Sequence, residues 1–140
     1  MKILVPVDGS AFSKKALAYL AAHDEWLGVH HHYTLLHVMP AIPSHAAKAV
    51  GKEALQTYYD EEAAKVFKPL RSFFSKAGLP VEFVQRVGHA ADEISKLAEK
   101  GRYDLVLMGS HGHGSLGALV LGSVVNKVLA KTSRPLLIVR

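Results

Sequence analysis

Short apolar runs that alternate with longer amphipathic stretches constrain this chain more than any other feature of it. KILVPV (residues 2–7) is compact and rich in β-branched residues, and it stops at Asp8-Gly9 as a buried strand does. Ser10 is placed to cap a helix over 11–27, in which Ala16, Leu17, Leu20, Ala21 and Leu27 share a face and Gly28 is the stop. HYTLLHVM (32–39) reads as a second strand closed by Pro40, and 40–46 as a loop. A helical stretch over 47–77 sets Val50, Ala54, Tyr58, Phe67, Leu70 and Phe74 at core-facing spacing, and Pro69 inside it is expected to kink or divide it. LPVEFVQRV (79–87) is a third strand. Residues 90–100 are a helix with Ile94, Leu97 and Ala98 inward and Gly101 as its stop, and DLVLM (104–108) is a fourth, buried strand. A glycine-rich segment leads into a helix over 122–132, and PLLIV (135–139) is the fifth strand.

Strands alternating with helices imply a parallel sheet covered on both faces, because each crossover is right-handed and returns over the sheet. We therefore expect a single α/β domain over 1–140, an open five-stranded parallel sheet in the order 3-2-1-4-5. In such sheets ligands bind at the carboxyl ends of the strands, where the strand order reverses. That directs attention to the loops after the first strand (Asp8-Gly9-Ser10) and after the fourth (Gly109 onward), which also have the least ordinary composition.

The second of these loops, GSHGHGSLGALVLGSVV (109–125), places five glycines between two apolar segments. Its apolar residues Leu116, Ala118, Leu119, Val120 and Leu121 argue against solvated slack. A helix N-terminus carries unpaired N–H groups and partial positive charge, and glycine lets a ligand come close to the backbone. The loop thus reads as a path for a nucleotide's phosphates from Gly112 to the amides of Gly122, Ser123 and Val124, with the Ser123 hydroxyl as a further donor. On that argument Gly122→Val blocks close approach and spares the fold. The spacing is not that of a P-loop, whose lysine is absent, and no dinucleotide fingerprint follows the first strand.

Composition narrows the partners. Seventeen Lys and Arg against twelve Asp and Glu give a net charge of +5, scattered rather than gathered into a stripe, which disfavours nucleic acid. Cysteine is absent, so disulfides and Cys-ligated metals are excluded, consistent with a reducing compartment. The first apolar run is too short for a signal-peptide core and no stretch reaches the ~18 apolar residues of a membrane span, so a cytoplasmic protein is expected.

The glycine loop resembles the signature G-x2-G-x9-G-[ST] of the universal stress protein family, met by Gly109, Gly112, Gly122 and Ser123, and the likeness extends through ILVPVDGS, LLHV, GHAADEI, YDLVLMGSHG and LGSVVNKVLAKTSRPLLIV. The full glycine signature marks the family's ATP-binding members. The resemblance implies that Asp8, following Pro6 and Val7, binds ribose hydroxyls, and that backbone groups of Val38 meet the adenine edge. It likewise implies that Met108 and Gly109 flank adenine and ribose, and that Gly112, His113, Gly122, Ser123 and Val124 hold the phosphates of ATP, with Mg or Mn on their outer side. Position 113 is often basic in the family and is histidine here, with a conditional charge. Family members commonly dimerise through the last strand, so Pro135–Val139 is the expected homodimer surface. The implied role is nucleotide sensing or regulation in stress response, with at most slow ATP hydrolysis, since no general base is identifiable.

Other readings compete at several residues. An adenylyl-transferring or ATP-hydrolysing enzyme on the same fold would need an SGG-type phosphate loop after the first strand, to which Val7-Asp-Gly-Ser10 bears only a faint likeness. Nine histidines invite a metal reading, but zinc usually wants a third ligand that the sequence does not fix. His30–His32 read as a polar start to the strand and His37 as a hydrogen-bonded core residue, while His111 and His113 face either phosphate or solvent. Ser10, Ser110 and Ser123 lack the elbow of a nucleophilic serine, and Ser10 reads as a helix cap. Asp8 can pair with amides of its own turn instead of a ligand. Tyr58, Tyr59, Phe67, Phe73 and Phe74 read as core packing.

Overall fold

The computed structural model describes residues 1–140 except 24, 26–29 and 113–119. Its five strands are β1 (Lys2–Pro6), β2 (His32–Met39), β3 (Val81–Val87), β4 (Leu105–Gly109) and β5 (Leu136–Val139). Among the described residues the helices are α1 (Ala11–Ala22), α2 (Ser44–Val50), α3 (Lys52–Ala77), α4 (Ala90–Lys100) and α5 (Ser123–Lys131). All strand pairs are parallel and the order is β3-β2-β1-β4-β5, as expected.

The sheet separates two apolar layers. Ile3, Val5, Leu35 and Met39 pack on one face with Ala16, Leu17 and Leu20 of α1 and with Tyr59, Ala63, Phe67 and Phe74 of α3. Leu4, Leu36, Val106 and Met108 pack on the other with Ala91, Ile94 and Ala98 of α4 and Val125 and Val128 of α5. Each such large side chain contributes on the order of 1.5–3 kcal/mol by leaving water, which is why both faces must be covered.

Four helical expectations are corrected. The first helix ends at Ala22 rather than 27 in the described residues, because His23 closes it: its N–H bonds to the Leu20 carbonyl and its Nδ1 lies 2.8 Å from the Tyr19 carbonyl. Leu27 and Gly28 lie outside the described residues. Residues 44–46 are helical rather than loop, since α2 begins after Pro43. The division in the long helical stretch falls at Gly51, at φ 83°, and not at Pro69. Pro69 is exposed, so the carbonyl of Lys65 that loses its intrahelical partner can bond to water and the helix continues.

The buried face of α3 also differs from expectation. Val50 and Tyr58 are 56% and 47% exposed, and Ala54 is exposed, whereas Leu55, Tyr59, Ala63, Phe67 and Phe74 face the sheet. Of the aromatic cluster, Tyr58 is therefore a surface residue. The strand ends shift by one or two residues from expectation: β1 stops at Pro6, β3 starts at Val81, β4 spans Leu105–Gly109 and β5 starts at Leu136. No helix of the described residues is long and apolar enough to cross a membrane.

Candidate functional site

At the carboxyl ends of β1 and β4, where the strand order reverses, a cavity of about 240 Å³ opens. Pro6, Val7, Asp8 and Val38 line it from the β1 and β2 side, and Met108, Gly109, Gly112, Gly122, Ser123 and Val124 from the β4 and α5 side. Ten of the eleven residues singled out from the sequence thus converge, and the eleventh, His113, lies outside the described residues. Leu36, Ala90, Ile94 and Val125 add an apolar wall.

Asp8 is held by the first turn of α1. Its Oδ1 accepts from the Ser10 N–H at 2.9 Å and from the Ser13 hydroxyl at 2.6 Å, while the Asp8 N–H donates to Ser13 Oγ at 3.0 Å. Ser10 is the N-cap, accepting from the Ser13 N–H at 3.2 Å. The turn thus takes Oδ1, and Oδ2 lies toward Gly112, 2.9 Å from where a Cβ there would sit. Sequence reasoning missed Ser13. Its signal was the Asp-x-Ser-x-x-Ser spacing of 8, 10 and 13, which lets one serine cap the helix and another brace the carboxylate.

The protein's own packing excludes a Cβ at Gly109 and crowds one at Gly122. A Cβ on Gly109 would lie 2.5 Å from the Phe12 carbonyl oxygen, and one on Gly122 would lie 3.1 Å from His111 Cα and 3.2 Å from the Ser110 carbonyl. None of Gly109, Gly112 and Gly122 has positive φ. The Gly122 N–H is not open to a ligand, since it donates to the Ser110 carbonyl at 2.8 Å. This corrects the expectation that Gly122 lends an amide, and that Gly122→Val would leave the fold untouched: a valine pushes on the β4 loop itself. Among the described residues, the N–H groups without a partner here are those of the first turn of α5, at Ser123, Val124 and Val125, since α5 has no side-chain cap. They carry the partial positive charge of the helix end.

His111 lies inside, not in solvent. It is 8% exposed, lines the cavity, packs its ring 4.7 Å from that of Phe12, and has Nδ1 2.8 Å from Ser110 Oγ. Its Nε2 is buried and has no hydrogen-bond partner among the described residues. His37 is a core residue, with Nδ1 2.8 Å from the Val7 carbonyl and its ring against Phe67. His30 and His32 are exposed at the start of β2, and the Nδ1 of His31 lies 2.9 Å from the nitrogen of Met1. Among the described residues, no group of three or more His, Cys, Asp or Glu is placed to hold a metal ion.

A parallel 3-2-1-4-5 sheet with its crevice at the switch point is the Rossmann-like arrangement of the adenine nucleotide alpha hydrolase-like class. Within that class the chain belongs to the universal stress protein family, whose model matches residues 1–140. The universal stress protein Slr1230 of Synechocystis is 34% identical over 139 residues, covering 99% of this chain and 42% of that protein. The chain thus spans less than half the length of this relative. A universal stress protein of Thermus aquaticus is 32% identical and aligns over 99% of this chain and 97% of its own. The solved structure of MJ0577 from Methanocaldococcus jannaschii superposes with a TM-score of 0.80 at 32% identity, covering 99% of this chain and 94% of the other.

More distant structures share the fold. A universal stress protein in complex with cAMP has a TM-score of 0.72 at 21% identity, covering 100% of this chain and 97% of its own. An Arabidopsis thaliana family member with AMP bound has a TM-score of 0.68 at 16% identity, covering 99% and 90%.

Proposed function

We propose that this chain is an ATP-binding regulatory module, one that senses adenine nucleotide in a stress response by holding it rather than turning it over. The observation that carries this reading is the juxtaposition, in one cavity, of the uncapped α5 N-terminus with a braced carboxylate, Asp8, and an apolar wall. A nucleotide has the matching three parts. The base lies against Leu36, Ile94 and Met108, the ribose hydroxyls donate to Asp8, and the phosphates accept from the N–H groups of Ser123, Val124 and Val125.

At about 240 Å³ the cavity is somewhat smaller than the roughly 300 Å³ at which pockets for drug-sized ligands begin. It suits the nucleoside, with the phosphates running out past the first turn of α5. The fold carries cAMP and AMP in other proteins, which supports the choice of an adenine nucleotide. A divalent cation, Mg or Mn, would ride on the phosphates, as Mg usually does when protein carboxylates are few. We further propose a homodimer through β5, argued below at the scale of the whole molecule.

Calorimetric titration with ATP tests this directly. Ser123→Pro is the informative variant. Ser123 is the first residue of α5, where proline is accommodated, and Gly122 at φ −62° and ψ 157° already has the extended backbone that precedes proline. The variant removes two phosphate donors, the Ser123 N–H and its hydroxyl, and leaves the helix intact. ATP affinity should fall about tenfold or more, the worth of a charge-assisted hydrogen bond, with adenosine affinity and melting temperature unchanged. No ATP uptake by the unaltered protein, or equal uptake by Ser123→Pro, overturns the reading.

A further inference from the structure

The hydrogen-bond ladder between β1 and β2 stops one rung earlier than strand geometry allows. The Val7 N–H donates to the Leu36 carbonyl at 2.8 Å. Peptide groups along a strand alternate sides, so Leu36 and Val38 both direct N–H and C=O toward β1, while Met39 faces β3 and accepts from the Gly88 N–H at 2.8 Å. Continuing the parallel register Pro6↔Leu36 would pair the Val38 N–H with the Val7 carbonyl and the Gly9 N–H with the Val38 carbonyl. Neither bond is present among the described residues. Gly9, at φ 80°, turns the chain away. The Val7 carbonyl instead meets His37 Nδ1 at 2.8 Å. A carbonyl oxygen can only accept, so Nδ1 carries the hydrogen.

The imidazole does this from behind the sheet. Its ring lies 6.2 Å from that of Phe67, edge to face, on the layer that contains Leu35 and Met39. The cavity lies on the other layer, with Leu36 and Val38 among its lining and His37 absent from it. We infer that His37 is a positioning residue for base recognition. By occupying the Val7 carbonyl, it keeps the Val38 N–H, with the Val38 C=O beside it, directed into the cavity. Adjacent donor and acceptor on one edge match a 6-aminopurine, whose ring nitrogen accepts and whose amino group donates. A 6-oxopurine presents the reverse pattern and leaves both backbone groups opposed. The inference rests on the adenine reading above, and it adds the residue that makes that edge available and the discrimination that follows.

Three substitutions and two measurements test it on the full chain. His37→Phe keeps a ring against Phe67 and removes the donor, and His37→Leu repeats that loss with less bulk. His37→Asn restores an N–H at the same branch position. Without ligand, the Val38 amide, followed by NMR hydrogen exchange, should exchange freely in the unaltered protein and in His37→Asn. It should become protected in His37→Phe, where the Val7 carbonyl is left to take it. In titrations, His37→Phe should lose about tenfold in ATP affinity, one hydrogen bond's worth, and most of its preference for ATP over GTP. Inorganic tripolyphosphate should bind as before, and His37→Asn should recover both properties.

Unchanged Val38 exchange and unchanged ATP-to-GTP preference in His37→Phe and His37→Leu, with the unaltered protein binding ATP, overturn the role of His37 alone. Failure of the unaltered protein to take up ATP overturns the nucleotide reading, and base recognition with it.

Discussion

At the scale of single residues, the glycines of the β4 loop belong to the architecture before they belong to any ligand. Gly109 is the clearest case, since any Cβ would collide with the backbone of Phe12 in α1, and backbone cannot swing aside as a side chain can. Gly109→Ala is therefore expected to destabilise the fold by about 1–3 kcal/mol, the usual cost of forcing an added carbon into a packed interior. Urea unfolding would measure it, and an unchanged midpoint would count against the argument. The positions of these glycines were legible in the sequence, but the reason for them was not. Close approach to a phosphate and close approach to a neighbouring helix leave the same residue type behind. The burial of His111 was equally hidden, because a histidine in a glycine-rich loop gives no sign that a ring from α1 covers it.

At the scale of elements, Glu99 ties the end of α4 to the segment joining α5 and β5. It accepts from the Ser133 N–H at 2.7 Å, the Thr132 hydroxyl at 2.8 Å and the Ser133 hydroxyl at 2.9 Å, and Arg134 Nε lies 3.2 Å from its other oxygen. These donors, the backbone amide foremost, lower its pKa from 4.5 to about 2. A depressed carboxylate stabilises the folded state above its unfolded pKa and loses that contribution as pH falls through the folded value. Glu99→Gln should therefore lower the urea midpoint at neutral pH, and the gap from the unaltered protein should close between pH 4.5 and about 2. A gap independent of pH would show that packing, not charge, is responsible.

Element types were legible because apolar runs of strand length and helical periodicity differ so plainly here. The phase at the start of α3 was not. Ala54 and Tyr58 belong to the same unbroken helix as Phe67 and Phe74 but lie about half a turn out of their phase, so one face cannot bury both sets. The register of Tyr59, Ala63 and Phe67 is the one that is buried.

At the scale of the molecule, the two sheet edges differ in character. β3 carries Glu82, Gln85 and Arg86, charged and polar residues that discourage edge pairing, whereas β5 is Leu136–Val139 with no polar residue. In β5 the carbonyls of Pro135 and Val139 are used by β4, so the peptide groups of Leu136 and Ile138 face outward. That makes β5 the edge on which a second copy would add. Ile138→Pro removes an outward amide and leaves the β4 ladder intact. In sedimentation, the unaltered chain should run as a dimer and Ile138→Pro as a folded monomer. A dimer that survives this substitution would place the interface elsewhere.

A parallel sheet was legible from the alternation, because right-handed crossovers leave few topologies open, and the order 3-2-1-4-5 was one of those few. The narrowness of the joint it creates was not. β1 and β4 share only Ile3↔Leu105 and Leu4↔Val106 before they part, and that parting forms the cavity. The central seam of the sheet is thus short, and it joins the beginning of the chain to its last third. Whatever lodges there touches both banks at once and bolts together two stretches synthesised far apart. A chain truncated before β4 has only one bank to offer.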